Sequence, residues 1–176
     1  PPLWVFVLAG LAGLAQCAGA VMLLQLVMNI RQSLGAALTR PVRIFWTLSL
    51  FAFSFKILLQ GLSVVPSLGR FAFGIRPVII GYLHLVFLGF ISFFLIGFYL
   101  LERLFVFGRM AMIFFIAGVL ANEVFLLLQG MYALAENGWE NSGVYLLGAS
   151  LAIFTGLSLF LAQQFRHRNL ADARLP

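Results

Sequence analysis

Residues 76–103 read RPVIIGYLHLVFLGFISFFLIGFYLLER, and this stretch decides how the rest of the chain is interpreted. Between Pro77 and Leu101 it carries no formal charge, and the run exceeds the ~20 residues that a helix needs to cross about 30 Å of hydrocarbon. Proline suits the start of such a helix because its missing N–H would have no partner there. The stretch therefore predicts a transmembrane helix over residues 77–101.

The composition of the whole chain is that of a membrane protein. Hydrophobic residues make up 63% of its 176 residues and charged residues 9%, with a mean hydropathy of +1.08. A soluble domain needs roughly a quarter of charged residues to cover its surface. The net charge of +6 comes from arginines at the ends of apolar runs, where they anchor helices. A nucleic-acid partner would need clustered basic residues on a solvated face, so the composition indicates an integral protein of the lipid bilayer with no nucleic-acid partner.

Four further apolar runs are long enough to cross a bilayer. Together they predict an all-α, polytopic transmembrane helix bundle of about five helices in a single domain, residues 1–176, with spans at about 3–29, 41–65, 77–101, 110–134 and 144–162. Polar connections are expected at Arg31–Arg43 and around Asn137-Gly138, and a solvated tail from Arg166. Small-residue ladders in the first and fifth spans are candidate surfaces for partner helices; they are Ala9, Gly13, Ala15 and Gly19, and Gly148, Ala152 and Gly156.

The start of the chain and its cysteine content give two further expectations. The chain opens on Pro1-Pro2 with neither an initiator Met nor a basic n-region, which indicates a fragment of a longer chain or missing upstream residues, and does not indicate a cleavable signal peptide. Cys17 is the single cysteine and lies inside the first apolar run, so no disulfide or cysteine-based metal framework can form within the chain.

The arginines are distributed unevenly between the two ends of the predicted helices. One end carries Arg31, Arg40, Arg43, Arg103, Arg109, Arg166, Arg168 and Arg174, and the other carries Arg70 and Arg76. By the positive-inside rule the N-terminus is expected outside and the C-terminus inside. The expected location is the cell inner (cytoplasmic) membrane, as a multi-pass protein.

Three ionisable side chains, Lys56, His84 and Glu123, interrupt the apolar spans. A charge at the centre of a membrane helix costs roughly 2.5–3.5 kcal/mol on insertion scales, so each group needs a partner or a purpose. At ~1.5 Å per residue, Lys56 and Glu123 lie about 20 Å from the arginine-rich boundary, and His84 and Gln60 about 5 Å further. The four side chains are therefore expected in one layer of the bundle.

Three interpretations of this polar layer stay open. Lys56 and Glu123 form a buried ion pair, with Gln60 and His84 hydrogen-bonded nearby, and hold the helices in register. Alternatively, the cluster lines a cofactor, quinone or proton site. In the third, Lys56 extends its stem toward water.

His84 is also a candidate metal ligand, to heme iron, because neutral imidazole binds it well and membrane hemes are held between helices. On a projection at ~100° per residue, Gly81, Gly89 and Ser92 fall within an arc of about 140° beside His84. Gly81 and Gly89 would leave space for a porphyrin edge. A structural, hydrogen-bonded histidine is the alternative, and no second axial ligand is evident because His167 lies beyond the last span. Copper or zinc would need three or four His, Cys or carboxylate ligands.

Residues 82–97, YLHLVFLGFISFFLIG, resemble the histidine-bearing helix of heme-copper oxidase subunit I-like membrane proteins. In part of that group a His that ligates heme is followed five residues later by Gly and an aromatic, and then by a second Gly; His84, Gly89-Phe90 and Gly97 match these places. The resemblance covers one helix and implies that His84 binds heme. The family's catalytic core uses further histidines, absent from these spans, so the resemblance implies a divergent or partial member that reduces neither oxygen nor nitric oxide by itself.

No catalytic motif of soluble enzymes is present in the sequence: it has no Walker loop, no Gly-x-Ser-x-Gly and no His-Glu-x-x-His. The favoured hypothesis is a subunit or divergent member of a membrane electron- or proton-transfer assembly, with a polar site at Lys56, His84 and Glu123 and with other membrane subunits or a second copy as partners. The alternatives are part of a proton-coupled transporter or channel, and a non-catalytic structural subunit.

Overall fold

The structure, a computed structural model, describes residues 3–63, 65, 69, 74–106, 108–135 and 139–172, without the side chains of residues 3, 5, 6, 9 and 167–172. Several features considered above lie outside these residues or side chains: Pro1-Pro2, Ala9, Arg70, Asn137-Gly138, His167, Arg168 and Arg174.

The regular structure in the described residues is helical, and five helices are long and apolar enough to cross a membrane. They are α1 (Leu3–Ala37), α2 (Arg40–Ser63), α3 (Arg76–Leu101), α4 (Arg109–Leu134) and α5 (Ser142–Asp172). This confirms the all-α prediction with five spanning helices. The architecture is that of a multi-pass membrane protein.

Two helices extend further than the apolar runs that predicted them. The segment from Arg31 to Ala37, expected as part of a polar connection, forms the last turns of α1, and α5 continues through Arg166, the exposed residue at which a tail was expected to begin. Leaving the hydrocarbon does not end a helix, because the backbone continues to bond to itself through residues of adequate propensity. α1 ends at Ala37, and α2 begins at Arg40 with Pro41 in its first turn, where the missing N–H of proline has no helical partner to lose.

Each helix packs chiefly on the next one along the chain, from α1 to α5. Contacts between early residues of one helix and late residues of its neighbour, such as Trp46 with Gly97, show that consecutive helices run antiparallel. The buried core joins α2, α3, α4 and α5 and consists of Phe45, Phe93, Ile96, Ala111, Phe115, Val119 and Phe160. α1 lies at one edge, and most of its apolar side chains are exposed.

The closest helix contact is between α4 and α5. A Cβ atom on Gly156 would lie 2.5 Å from the backbone nitrogen of Phe115, and one on Gly118 would lie 2.7 Å from that of Ile153. Each glycine lets the backbone of the other helix approach, as small residues do in membrane bundles. One member of the predicted ladder, Gly156, is therefore used inside the chain, whereas a Cβ on Gly148 would meet nothing within 4 Å.

The middle of α3, Leu85–Ser92, is a π-helix. Its backbone bonds span five residues instead of four, which widens each turn and is rare in proteins. Two serine hydroxyls donate to carbonyl oxygens in this segment: Ser92 to Phe87 at 2.8 Å, and Ser49 of α2 to Phe90 at 2.9 Å. Because the turn changes width directly after His84, a projection at a constant angle per residue does not describe the faces of α3.

Candidate functional site

The packing of α3 on its two neighbours sets the level of the predicted polar residues. Gly89 packs on Ala52 of α2, and Gly81 packs on Leu126 of α4. Because adjacent helices are antiparallel, moving back along α3 from Gly89 to His84 corresponds to moving forward along α2 from Ala52 to the turn of Lys56. Moving forward along α3 from Gly81 to His84 likewise corresponds to moving back along α4 from Leu126 to Glu123. His84 is thereby level with the turns that carry Lys56 and Glu123.

A cavity of about 520 Å³ lies between α2, α3 and α4 at this level. Its walls include three of the residues selected from the sequence: Gly81, Gly89 and Glu123. The other walls are mainly apolar, for example Phe55 and Leu127. Oε1 of Glu123 is buried and has no hydrogen-bond partner. Glu123 is therefore the one acidic residue among those that line a mainly apolar cavity.

Lys56, Gln60 and His84 are not among the residues that line this cavity. No ion pair or hydrogen bond joins Lys56 to Glu123 in the part of the chain that the structure describes, and Oε1 of Gln60 is, like that of Glu123, buried without a partner. The three helices thus bring Lys56, His84 and Glu123 to one level, but of the three only Glu123 lines the cavity. The buried ion pair that was one interpretation of the sequence is not formed.

His84 has a defined hydrogen bond on its own helix. Its Nδ1 lies 2.9 Å from the carbonyl oxygen of Ile80, and since a carbonyl only accepts, Nδ1 is the nitrogen that donates. In the neutral ring the lone pair is then on Nε2, which is the arrangement of histidines that bind metals. His84 lines neither of the two large cavities. The free nitrogen, Nε2, is available to bind heme iron.

The described residues contain no group of three or more His, Cys, Asp or Glu side chains placed to hold a metal ion. Comparison of the chain with protein-family models, curated proteins and solved structures finds no match. The likeness to heme-copper oxidase subunit I-like proteins therefore rests on residues 82–97 alone, and heme at His84 stays a prediction.

A second cavity, of about 630 Å³, was not expected from the sequence. It lies between α1, α2 and α3 and includes Arg31, Arg43 and Trp46 in its walls. The sequence interpretation treated these arginines only as helix anchors and topology signals. The signal that could have located the cavity is the presence of two arginines and a tryptophan on either side of one short connection, where consecutive antiparallel helices bring them together.

Proposed function

We propose that the chain is a subunit of a membrane assembly that transfers electrons and protons, and that the cavity at Glu123 binds an isoprenoid quinone. The observation that carries the proposal is the carboxyl group of Glu123, the one acidic residue among those that line an otherwise mainly apolar cavity. We place the assembly in the cell inner (cytoplasmic) membrane, with other membrane subunits or a second copy as partners.

A quinone fits the chemistry of this cavity because it combines an apolar ring and tail with polar oxygens at the ring edge. Ligand sites are typically apolar spaces of ~300–1,000 Å³ with a few placed polar groups. A ring hydroxyl of the quinol would donate to the carboxylate of Glu123 in a charge-assisted hydrogen bond. Reduction of a quinone to a quinol takes up two electrons and two protons; the electrons would come from a redox group of a partner subunit, and Glu123 would pass the two protons to the ring oxygens one after the other.

A second candidate, heme bound to Nε2 of His84, is favoured by the hydrogen bond from Nδ1 to Ile80. Since His84 lines neither of the two cavities described above, such a heme would lie on a surface shared with a partner subunit. An optical spectrum of the purified assembly, oxidised and then reduced with dithionite, tests it: a reducible Soret band that His84→Ala removes supports heme, and a featureless spectrum excludes it.

The quinone proposal is tested by binding. The purified protein in detergent is titrated under anaerobic, reducing conditions with a short-tailed ubiquinol analogue, whose ring hydroxyls can donate to the Glu123 carboxylate, and the dissociation constant is measured by equilibrium dialysis. We expect saturable binding that Glu123→Gln weakens about tenfold, because an uncharged amide replaces a charge-assisted hydrogen bond worth roughly 1.5–3 kcal/mol. Glu102→Gln, which changes a carboxyl group outside the cavity, should leave the constant unchanged.

A matched pair of bulky substitutions locates the site. Leu127 lines the cavity and Leu147 does not, yet the two side chains are similarly exposed, at 62% and 59%. Leu127→Trp should abolish saturable binding and Leu147→Trp should retain it. Equal binding by all four variants would mean that the analogue only partitions into the micelle. Absence of quinone binding together with pH-driven solute uptake that needs Glu123 would favour the proton-coupled transporter instead.

A further inference from the structure

The second cavity lies at the end of the bundle where the arginines are concentrated. α1, α2 and α3 enclose it, and its volume is about 630 Å³. Two cations stand in its walls, Arg31 near the end of α1 and Arg43 at the start of α2, and none of the residues lining it is acidic. The cavity is separate from the one at Glu123, since the two share no lining residue.

The two arginines converge although they belong to different helices. Nη1 of Arg43 lies 3.8 Å from the position that a Cβ on Gly35 would occupy, so its guanidinium reaches across to α1. Gly35 is four residues after Arg31, and residues at this spacing lie on the same face of a helix. Both guanidinium groups are therefore presented on one side of α1, beside the cavity.

The polarity of the cavity changes along its length. Arg31, Arg43 and Thr47 are at one end, the ring of Trp46 is next to them, and Leu23 and Phe53 are at the other end. From Arg43 to Phe53 α2 advances ten residues, or ~15 Å at ~1.5 Å per residue. That is about half of the ~30 Å hydrocarbon core, or one leaflet. A tryptophan between charged and apolar groups marks the headgroup level of a bilayer.

We propose that this cavity binds an anionic phospholipid, with its phosphate between Arg31 and Arg43 and an acyl chain along Leu23, Leu50 and Phe53. Such a lipid matches the cavity in length, in polarity and in charge. Arginine pairs with phosphate through a planar fork of N–H donors, and basic pockets between membrane helices bind anionic headgroups. A phospholipid carries its anionic phosphate and its acyl chain in one molecule, so a lipid is the occupant that satisfies both ends of the cavity.

The test uses Trp46 as a reporter. In a Trp4→Phe, Trp139→Phe background it is the single tryptophan of the chain, which has three. The protein is reconstituted into phosphatidylcholine vesicles in which a varied fraction of the lipid carries brominated acyl chains, either as phosphatidylglycerol or as phosphatidylcholine. Bromine quenches tryptophan fluorescence on contact. Half-maximal quenching should need on the order of tenfold less brominated phosphatidylglycerol than brominated phosphatidylcholine, given the attraction of two arginines to an anionic headgroup.

Substitution of the two arginines then shows whether they cause the preference for phosphatidylglycerol. Arg31→Gln with Arg43→Gln should make the two brominated lipids equally effective, whereas Arg109→Gln, which removes an exposed arginine at the same end of the bundle but outside the cavity, should keep the difference. Circular dichroism confirms that each variant is folded. Three results would each overturn the proposal. The two lipids quench equally in the parent protein, the preference persists without Arg31 and Arg43, or neither lipid quenches Trp46 because a protein surface covers it.

Discussion

At the scale of single residues, Gly156 shows how the absence of one side chain sets the distance between two membrane helices. The space that its Cβ would need is occupied by backbone atoms of Phe115 on α4. A backbone cannot rotate aside as a flexible side chain can, so an added methyl group must push α4 and α5 apart. Overpacking of this kind typically costs about 1–3 kcal/mol.

We therefore expect Gly156→Ala to lower the free energy of unfolding by about 1–3 kcal/mol, measured by titrating the protein in mixed micelles with SDS and following helix content. Gly148→Ala is the matched control, two turns earlier in the same helix, because a Cβ there would meet nothing within 4 Å. It should be neutral or slightly stabilising, since Ala is the better helix former. Equal effects of the two substitutions would show that this helix contact is not close.

The residues of the candidate site illustrate which part of a site a sequence can reveal. Lys56, His84 and Glu123 could be selected because a polar group within an apolar run is visible without a structure. Their shared level followed from the lengths of the runs. Their surroundings could not be predicted, because the direction of each side chain depends on helix rotation, which is fixed by contacts such as Gly89 on Ala52. The sequence therefore predicted that Glu123 and Gly81 lie near His84. It could not show that Glu123 and Gly81 line the cavity and that His84 does not.

At the scale of helices, the π-helical segment Leu85–Ser92 is the feature that hydropathy could not reveal. Hydropathy depends on which residues are apolar, and an α-turn and a π-turn of the same residues have the same hydropathy. The apolar runs thus predicted five helices correctly, but not the local widening of α3 nor the continuation of α1 from Arg31 to Ala37. A hydrogen bond from Ser49, which is buried in α2, to the Phe90 carbonyl ties the widened turn to the neighbouring helix.

Ser49→Ala should therefore lower the free energy of unfolding by about 0.6–2 kcal/mol, the range for hydrogen bonds between membrane helices. It should also increase amide hydrogen exchange in the middle of α3, because the Phe90 carbonyl loses its partner on α2. Ser54→Ala is the control, since the Ser54 hydroxyl bonds within its own helix, to the carbonyl of Leu50. If Ser49→Ala leaves exchange in α3 as in the parent protein, the hydrogen bond does not stabilise the π-helical segment.

At the scale of the whole molecule, the antiparallel order of the five helices brings most of the arginines to one end. Arg31, Arg43, Arg103, Arg109 and Arg166 all lie at the end that holds the α1–α2 and α3–α4 connections. The opposite end holds Arg76 and the exposed Glu140. Arginines near helix ends are retained on the cytoplasmic side during insertion, and acidic residues contribute little to this choice. The arrangement of the charges therefore predicts an outside N-terminus and an inside C-terminus.

This topology is tested with single cysteines in a Cys17→Ser background, which removes the one native thiol. Ser33→Cys places a thiol on the exposed arginine-rich end of α1, and Glu140→Cys places one on the exposed connection before α5. A membrane-impermeant maleimide should label Glu140→Cys in intact cells and Ser33→Cys only after the membrane is opened. The parent protein, whose Cys17 lies within the first spanning helix, should stay unlabelled in both conditions. The reverse pattern would place the lipid cavity at Arg31 and Arg43 in the outer leaflet, and would mean that a signal other than arginine number directs insertion of this chain.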